Sequence, residues 1–280
     1  VIELKPFDKL LARLLDSTTR QRASIRGLDD QRKDQVIAGA LLVRELFHRL
    51  RLKRILVCGA ALREGILLDY LSRHMPELAI RREVPDPRRR SVIDLARRCD
   101  WHRTHSEQVT RLCLMLFDEL RSLHGLGPID RELIEYAALL HDIGWHIAGA
   151  GHHKHSMYLI SNGHLRNFDP EEVQVIANIA RYHRKRPPTR DHEGYAALSN
   201  RARRVVDVGA ALLRIADGLD RSHASAVKSL SCRRDDKKVR VSVLPRGDVE
   251  LEIWGARRKR DWFEAVFDRK VEFTVAGSRR

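Results

Sequence analysis

The 280-residue sequence has only four cysteines, Cys58, Cys99, Cys113 and Cys232, and no two of them form a CxxC pair. Their scatter argues against a disulfide framework or a zinc ribbon and for a reducing cytoplasm. No apolar run approaches the length of roughly eighteen residues that a membrane-spanning helix needs. Aromatic residues make up 6%, and no base-reading motif is present, which sets nucleic acid aside as a partner. There is no Gly-rich phosphate loop: Gly59 and Gly65 stand alone. The start, Val1-Ile2-Glu3-Leu4-Lys5, has neither an initiator Met nor a signal-peptide pattern. It reads as the middle of a longer chain, so truncation is expected.

Positive charge is abundant. Lys and Arg number 53 against 38 Asp and Glu, a formal net charge of +15. A surplus this large raises the local concentration of polyanions such as polyphosphate, phosphorylated nucleotides or nucleic acid. The plainer alternative is an arginine-rich solvated surface. Hydrophobic content of 43% with 32% charged residues is that of a globular chain.

Read along its length, the chain changes character three times. A short helix over 6–15 with Pro6 in its first turn is followed by a turn at Ser24–Leu28. A helix over 31–50, capped by Asp29 or Asp30, follows. Arg54-Ile55-Leu56-Val57-Cys58 suits a buried strand, leading into a helix from Leu62 to Leu71. One strand cannot make a sheet, so residues 1–73 read as the tail of a larger α/β domain. Residues 74–90, rich in Pro and Arg, read as a linker with a solvated basic run. Residues 91–221 are helical almost throughout, with amphipathic stretches near 92–99, 102–123, 130–141, 152–162, 170–184 and 193–218. After Ser222 a small α+β appendix over 222–280 is expected. Val239–Val243 and Val249–Ile253 are its first strands, joined by a turn with Pro245 and Gly247. A short helix at Trp262–Phe267 and a strand at Val271–Val275 follow.

The chemistry-bearing residues fall on separate helical segments. His141-Asp142 ends an apolar run, and Gly151-His152-His153-Lys154-His155-Ser156 follows it. His105 starts an amphipathic helix, His183 ends another, and Asp217 closes a third. Imidazole and carboxylate together suit a divalent metal such as Mg, Mn, Fe or Zn. A helical bundle can converge such groups on its axis. Taken singly, each has an ordinary reading: a lone His on an apolar helix face is usually a core residue, and a lone Asp at a helix end a cap. Lys154, Arg181, Arg184 and Lys185 lie beside the histidines and could neutralise phosphate, or could be helix-surface cations.

The order His…His-Asp…His…Asp resembles the HD phosphohydrolase superfamily, an all-helical metal-binding bundle. The resemblance implies that His105, His141, Asp142 and Asp217 hold a divalent ion, with His152, His153 and His183 as ligands to a second and His155 orienting a ligand. Gly151–Asn162 and Ile176–Lys185 look like the C-terminal region of the exopolyphosphatase/guanosine pentaphosphate phosphohydrolase (Ppx/GppA) family. Ile25–Leu28, Val36–Ala40 and Leu62–Leu67 resemble the end of that family's actin-like domain. The implied fold is mainly α: an HD-type helical bundle preceded by the tail of an actin-like α/β domain and followed by the small α+β appendix.

The resemblance implies a metal-dependent enzyme that releases phosphate from polyphosphate or pppGpp, generally a homodimer, whose own catalytic residues lie upstream of this chain. Two alternatives stand beside it. One is a self-sufficient HD metallohydrolase acting on a nucleotide, in which Asp142 is catalytic. The other is a non-catalytic module for polyanion binding or dimerisation.

Overall fold

The computed structural model describes residues 1–22, 25, 27–28, 33–67 and 86–276. The chain divides into two compact units, residues 1–76 and 77–280.

In the first unit, β1 (Ile2–Glu3) pairs antiparallel with β2 (Arg54–Ile55). Between them lie α1 (Leu4–Leu15), α2 (Thr19–Arg22) and α3 (Val36–Arg49). Leu11 and Leu14 of α1 bury against Ala40 of α3, flanked by Phe7, Val36 and Ile37. The strand expected over 54–58 stops at Ile55, and Leu56 and Val57 beyond it are exposed. The caps proposed at Asp29 and Asp30, and residues 74–85 of the expected linker, lie outside the described residues.

The second unit carries the helices. They are α4 (Pro87–Arg98), α5 (Arg103–Glu119), α6 (Arg121–His124), α7 (Pro128–Leu140), α8 (His152–Asn162), α9 (Pro170–Arg181), α10 (Glu193–Ala196) and α11 (Asn200–Gly218). Their starts are written in the sequence. Asp86 caps α4 by accepting from Arg88 N and Arg89 N, with Pro87 at the first position. Asp169 and Glu172 form a reciprocal capping box on α9. Ser199 accepts from Ala202 N, which opens α11 and breaks the expected helix 193–218 in two.

The basic run at 88–90 is therefore not a hinge. Arg88 pairs with Glu172 at 2.9 Å and Glu132 at 3.1 Å and lies 4.1 Å over the Phe168 ring, and Arg89 pairs with Glu135. These residues, expected in the linker, staple α4 onto α7 and α9.

The C-terminal region contains β3 (Val227–Arg234), β4 (Lys238–Pro245), α12 (Glu250–Arg258), α13 (Arg260–Phe267) and β5 (Lys270–Val275). The sheet order is β3-β4-β5, with β3–β4 antiparallel and β4–β5 parallel through the α12–α13 crossover. The stretch Val249–Ile253, expected as a strand, opens a helix instead. Its buried positions are Val249, Glu252, Ile253 and Ala256, the i, i+3, i+4, i+7 pattern of one helix face. The alternation ends at Ile253, and only the longer window shows the period. Val227, Val241, Val243, Phe263 and Phe273 belong to the same continuous core as Leu116, Ile134 and Leu139 of the bundle. The appendix thus packs into the helical unit rather than beside it. Among the described residues no helix is long and apolar enough to cross a membrane.

Candidate metal centre

Five helices deliver the histidines and aspartates to one place. His105 comes from the first turn of α5, and His141 and Asp142 directly follow α7. His152 opens α8, His183 lies just past α9, and Asp217 is in the last turn of α11. The link between α7 and α8 sets the register. Ser156 Oγ accepts from Gly144 N at 2.9 Å and donates to His141 O at 2.6 Å. Gly144 lies so close to α8 that a Cβ would meet the backbone of His152 and Ser156. That contact brings His152 up to Asp142.

Four histidines share one arrangement. His105 Nδ1 donates to Asp220 Oδ2 at 2.8 Å, and His141 Nδ1 to Ala138 O at 2.7 Å. His183 Nδ1 donates to Ala180 O at 2.7 Å, and His152 Nδ1 to Gly149 O at 3.0 Å. Each partner is a carbonyl or carboxylate oxygen, which can only accept, so Nδ1 carries a proton in all four and Nε2 is the atom turned toward the centre. This is the outer support that orients histidine ligands at metal sites.

The Nε2 atoms converge on Asp142. Oδ2 lies 3.8 Å from His105 Nε2 and 3.7 Å from His141 Nε2. Oδ1 lies 3.2 Å from His152 Nε2 and 3.5 Å from His183 Nε2. Asp217 Oδ1 adds a further oxygen 3.6 Å from His105 Nε2. Two groups able to hold a metal ion result, His105–His141–Asp142 and Asp142–His152–His183, with the one carboxylate common to both. His105 Nε2, His141 Nε2 and Asp142 Oδ1 are buried with no hydrogen-bond partner. Orphaned buried acceptors are costly unless something completes them. These residues fit a divalent cation.

The electrostatics agree. Burial disfavours a charge on His105, yet the neighbouring carboxylates of Asp217, Asp220 and Asp142 raise its pKa to about 9. The negative charge that would hold a proton on its Nε2 would equally hold a cation. Burial also opposes ionisation of Asp142 and Asp217. Their surroundings, His141 and His152 for Asp142 and Lys259 for Asp217, nevertheless hold both well below the usual carboxylate range. Burial drives His141 and His183 downward, so both remain neutral.

The remaining expected residues are more dispersed. His153 packs edge-on to His152 and His183 at 6.1 and 6.4 Å, is in neither group, and is pushed down to about 4 by burial and Arg184. His155 also lies outside both groups. Arg184 and Lys185 line a cavity of about 460 Å³ over Asp142, His152, His183 and Asp217, whereas Lys154 and Arg181 do not. Arg184 donates to His152 Nε2 at 3.1 Å, while Arg181 turns to Met157 Sδ at 3.3 Å.

Sequence reasoning missed the other wall. Arg221, His223, Trp254, Arg258 and Lys259 line the same cavity. Lys259 pairs with Asp217 Oδ2, and the His223 ring stacks on His105 at 3.8 Å. Gly218 and Gly255 bring this wall in. A Cβ on Gly255 would sit 2.5 Å from Gly218 O, and one on Gly218 2.7 Å from Ala256 Cα. The crossing of α11 and α12 therefore needs both glycines. Asp220, fully buried under His105, was also missed; three residues past Asp217, it had no visible partner in the sequence.

Comparison with known proteins places this geometry. Residues 88–248 match the family model described as Ppx/GppA phosphatase, domain III, and residues 1–74 match that of the Ppx/GppA phosphatase family. The chain belongs to the Ppx/GppA family. A guanosine-5'-triphosphate,3'-diphosphate pyrophosphatase of Pseudoalteromonas translucida (strain TAC 125) is 30% identical over 164 residues, 56% of this chain and 30% of that protein. One of the same name from Pseudoalteromonas atlantica (strain T6c / ATCC BAA-1087) is 26% identical over 185 residues, 66% of this chain and 35% of that protein. The chain spans about a third of the length of these curated relatives. The candidate metal centre, from His105 to Asp217, lies wholly within the domain III match.

Proposed function

We propose that this Ppx/GppA chain is part of a divalent-metal-dependent phosphohydrolase that releases phosphate from pppGpp or polyphosphate, and that its helical domain would hold two divalent ions, with Asp142 common to both groups of ligands. The names of the relatives support the reaction class, and the observation that carries the metal site is the common orientation of four Nε2 atoms around the two oxygens of one carboxylate. His105, His141, Asp142 and Asp217 are the ligands proposed for the first ion, and Asp142, His152 and His183 for the second. A divalent ion bound there would supply Lewis-acid polarisation of a phosphoryl oxygen and of an attacking water.

The chain's own residues do the rest. Asp142 and Asp217 stay ionised, and the buried imidazoles stay in one tautomer. Arg184 and Lys185, with Arg221 and Arg258 across the cavity, neutralise phosphate oxygens. Lys154 and Arg181 have no part in this. The domain limits, with residues 1–73 as an actin-like tail, a homodimeric assembly and a cytoplasmic setting for the four free thiols remain parts of the same proposal.

A second reading has its own support. Both groups able to hold a metal ion are drawn from this chain alone, which supports hydrolysis of a nucleotide phosphoester by this domain alone. Phosphate release from pppGpp, polyphosphate and nucleotides, measured with the isolated chain and with the upstream actin-like lobes restored, tests both. Activity only with the lobes, unaffected by Asp142→Ala, would confine turnover to the upstream site. Activity of the isolated chain that disappears in Asp142→Ala supports turnover in this domain. No activity in either form would contradict the proposal.

A further inference from the structure

Arg214 lies on α11, one turn before Asp217, and reaches across to the end of α9. Its Nη1 donates to Tyr182 O at 3.0 Å and its Nη2 to Lys185 O at 2.9 Å. Those two carbonyls bracket His183 and Arg184. His183 is a proposed ligand of the second ion, and Arg184 donates to His152 Nε2 at 3.1 Å and lines the cavity. One side chain thus holds, from both sides, the turn that supplies a ligand and a cation to the same half of the centre.

The turn needs such a hold. Tyr182 caps the end of α9, where carbonyls run out of helical partners. Lys185 has φ 61°, a left-handed conformation that residues with a side chain rarely adopt. Such a conformation persists only where its surroundings enforce it. Pro187 and Pro188, just beyond, have no N–H to give. A guanidinium carries its donors in a rigid fork and can fix two carbonyls at once, which an ammonium cannot do with the same geometry. Arg214 is poorly placed for stability alone. It is half-buried, both of these hydrogen bonds go to carbonyls, and its Nε is buried with no hydrogen-bond partner. Burying a cation with an unmet donor is costly, and an apolar side chain would avoid that cost. The first-ion half has separate supports: Asp220 holds His105, and Ala138 O holds His141.

We infer that Arg214 is the positioning residue of the second-ion half of the centre. By holding Tyr182 O and Lys185 O it sets where His183 Nε2 and the Arg184 guanidinium stand, and the first-ion half does not depend on it. The inference rests on the proposed two-ion reading and makes the two positions separable by one substitution outside the ligand set.

The test is a double-mutant cycle on the whole chain, read by Mn²⁺ calorimetry, with the His ring nitrogens followed by NMR on the metal-free protein. Arg214→Met should weaken one of the two ions by roughly 10- to 100-fold, the scale of losing an outer support, and leave the other within about twofold. In a His183→Ala background the same substitution should cost almost nothing further, because Arg214 acts through that residue. Arg214→Lys, which keeps the charge but loses the fork, should fall between the two and carries the same test if Arg214→Met does not fold. In the NMR spectra His183 should leave its single Nδ1-protonated form in Arg214→Met, while His105 and His141 keep theirs. A variant that melts lower but binds both ions as before would show a structural strut only and overturn the inference. So would equal weakening of both ions, or a full loss that persists in the His183→Ala background. An unaltered chain that binds no ion would contradict the two-ion reading. The His183 signals would then decide the positioning role alone: displaced in Arg214→Met they support it, unmoved they overturn it.

Discussion

The cavity has two walls built on opposite principles. The bundle wall is buried: His105, His141, His152 and His183 are each 3% exposed or less, and every Nδ1 is tied to an oxygen. The wall from α12 and the segment before β3 is half open and carries Arg221, Trp254 and Arg258. The first arrangement concentrates negative charge and lone pairs where water is scarce, which favours a cation. The second places positive charge and flat apolar surface at the opening, which favours an anion. In a chain of net charge +15, the charge at this centre is set locally by Asp142, Asp217 and Asp220, not by the total.

The comparison is broken most severely at Asp142, which belongs to both ligand groups. Asp142→Ala should weaken divalent-metal binding at both positions by more than the roughly 10- to 100-fold typical of removing an outer support, with the anion-binding wall retained. Metal titration and tripolyphosphate binding on one sample check both halves. Asp220→Ala frees the His105 tautomer and should cost about 10- to 100-fold in metal affinity, whereas Asp220→Asn, which keeps an acceptor, should cost less. Equal losses in the two variants would contradict the tautomer argument.

Gly255→Ala acts on the other wall. The added methyl meets Gly218 O, so it should destabilise the fold by about 1–3 kcal/mol and push α12 outward. Anion affinity should fall while metal affinity stays near that of the unaltered chain. The smallest effects separate cations that line the cavity from those that do not. Arg258→Ala should reduce tripolyphosphate affinity and the steepness of its salt dependence, and Lys154→Ala should change neither. A Lys154→Ala loss as large as that of Arg258→Ala would erase the distinction between the walls.

The two walls also differ in how well the sequence reveals them. His105, His141, Asp142, His183 and Asp217 are legible because apolar periodicity marks the helices and each residue sits at or near a helix end. The helical content and the start of α9 are legible for the same reason, since Asp169-Pro170-Glu171-Glu172 states its own cap. The second wall is hidden because it depends on a period misread in a short window. Val249-Glu250-Leu251-Glu252-Ile253 alternates like a strand, but burial continues to Ala256 with helical spacing. Once α12 is taken for a strand, Trp254, Arg258 and Lys259 cannot be placed beside Asp217. The strand β3 is hidden for another reason. It lies at the sheet edge, and only Val227 and Leu230 of its eight residues are buried, so it lacks the apolar alternation that marks a half-buried strand.

The most direct test of the two-ion reading is the divalent-metal content of the purified chain, with its melting temperature before and after chelation. A ligand present at a thousandfold over its Kd stabilises by about 4 kcal/mol, and each kcal/mol shifts the melting point of a domain this size by about 2–4 °C. The account predicts about two bound divalent ions per chain, a melting point that falls by roughly 10 °C on chelation, and recovery when metal is restored. A chain that takes up no divalent ion after incubation with Mn²⁺, Fe²⁺, Zn²⁺ or Mg²⁺, and melts at the same temperature with and without chelator, would contradict it.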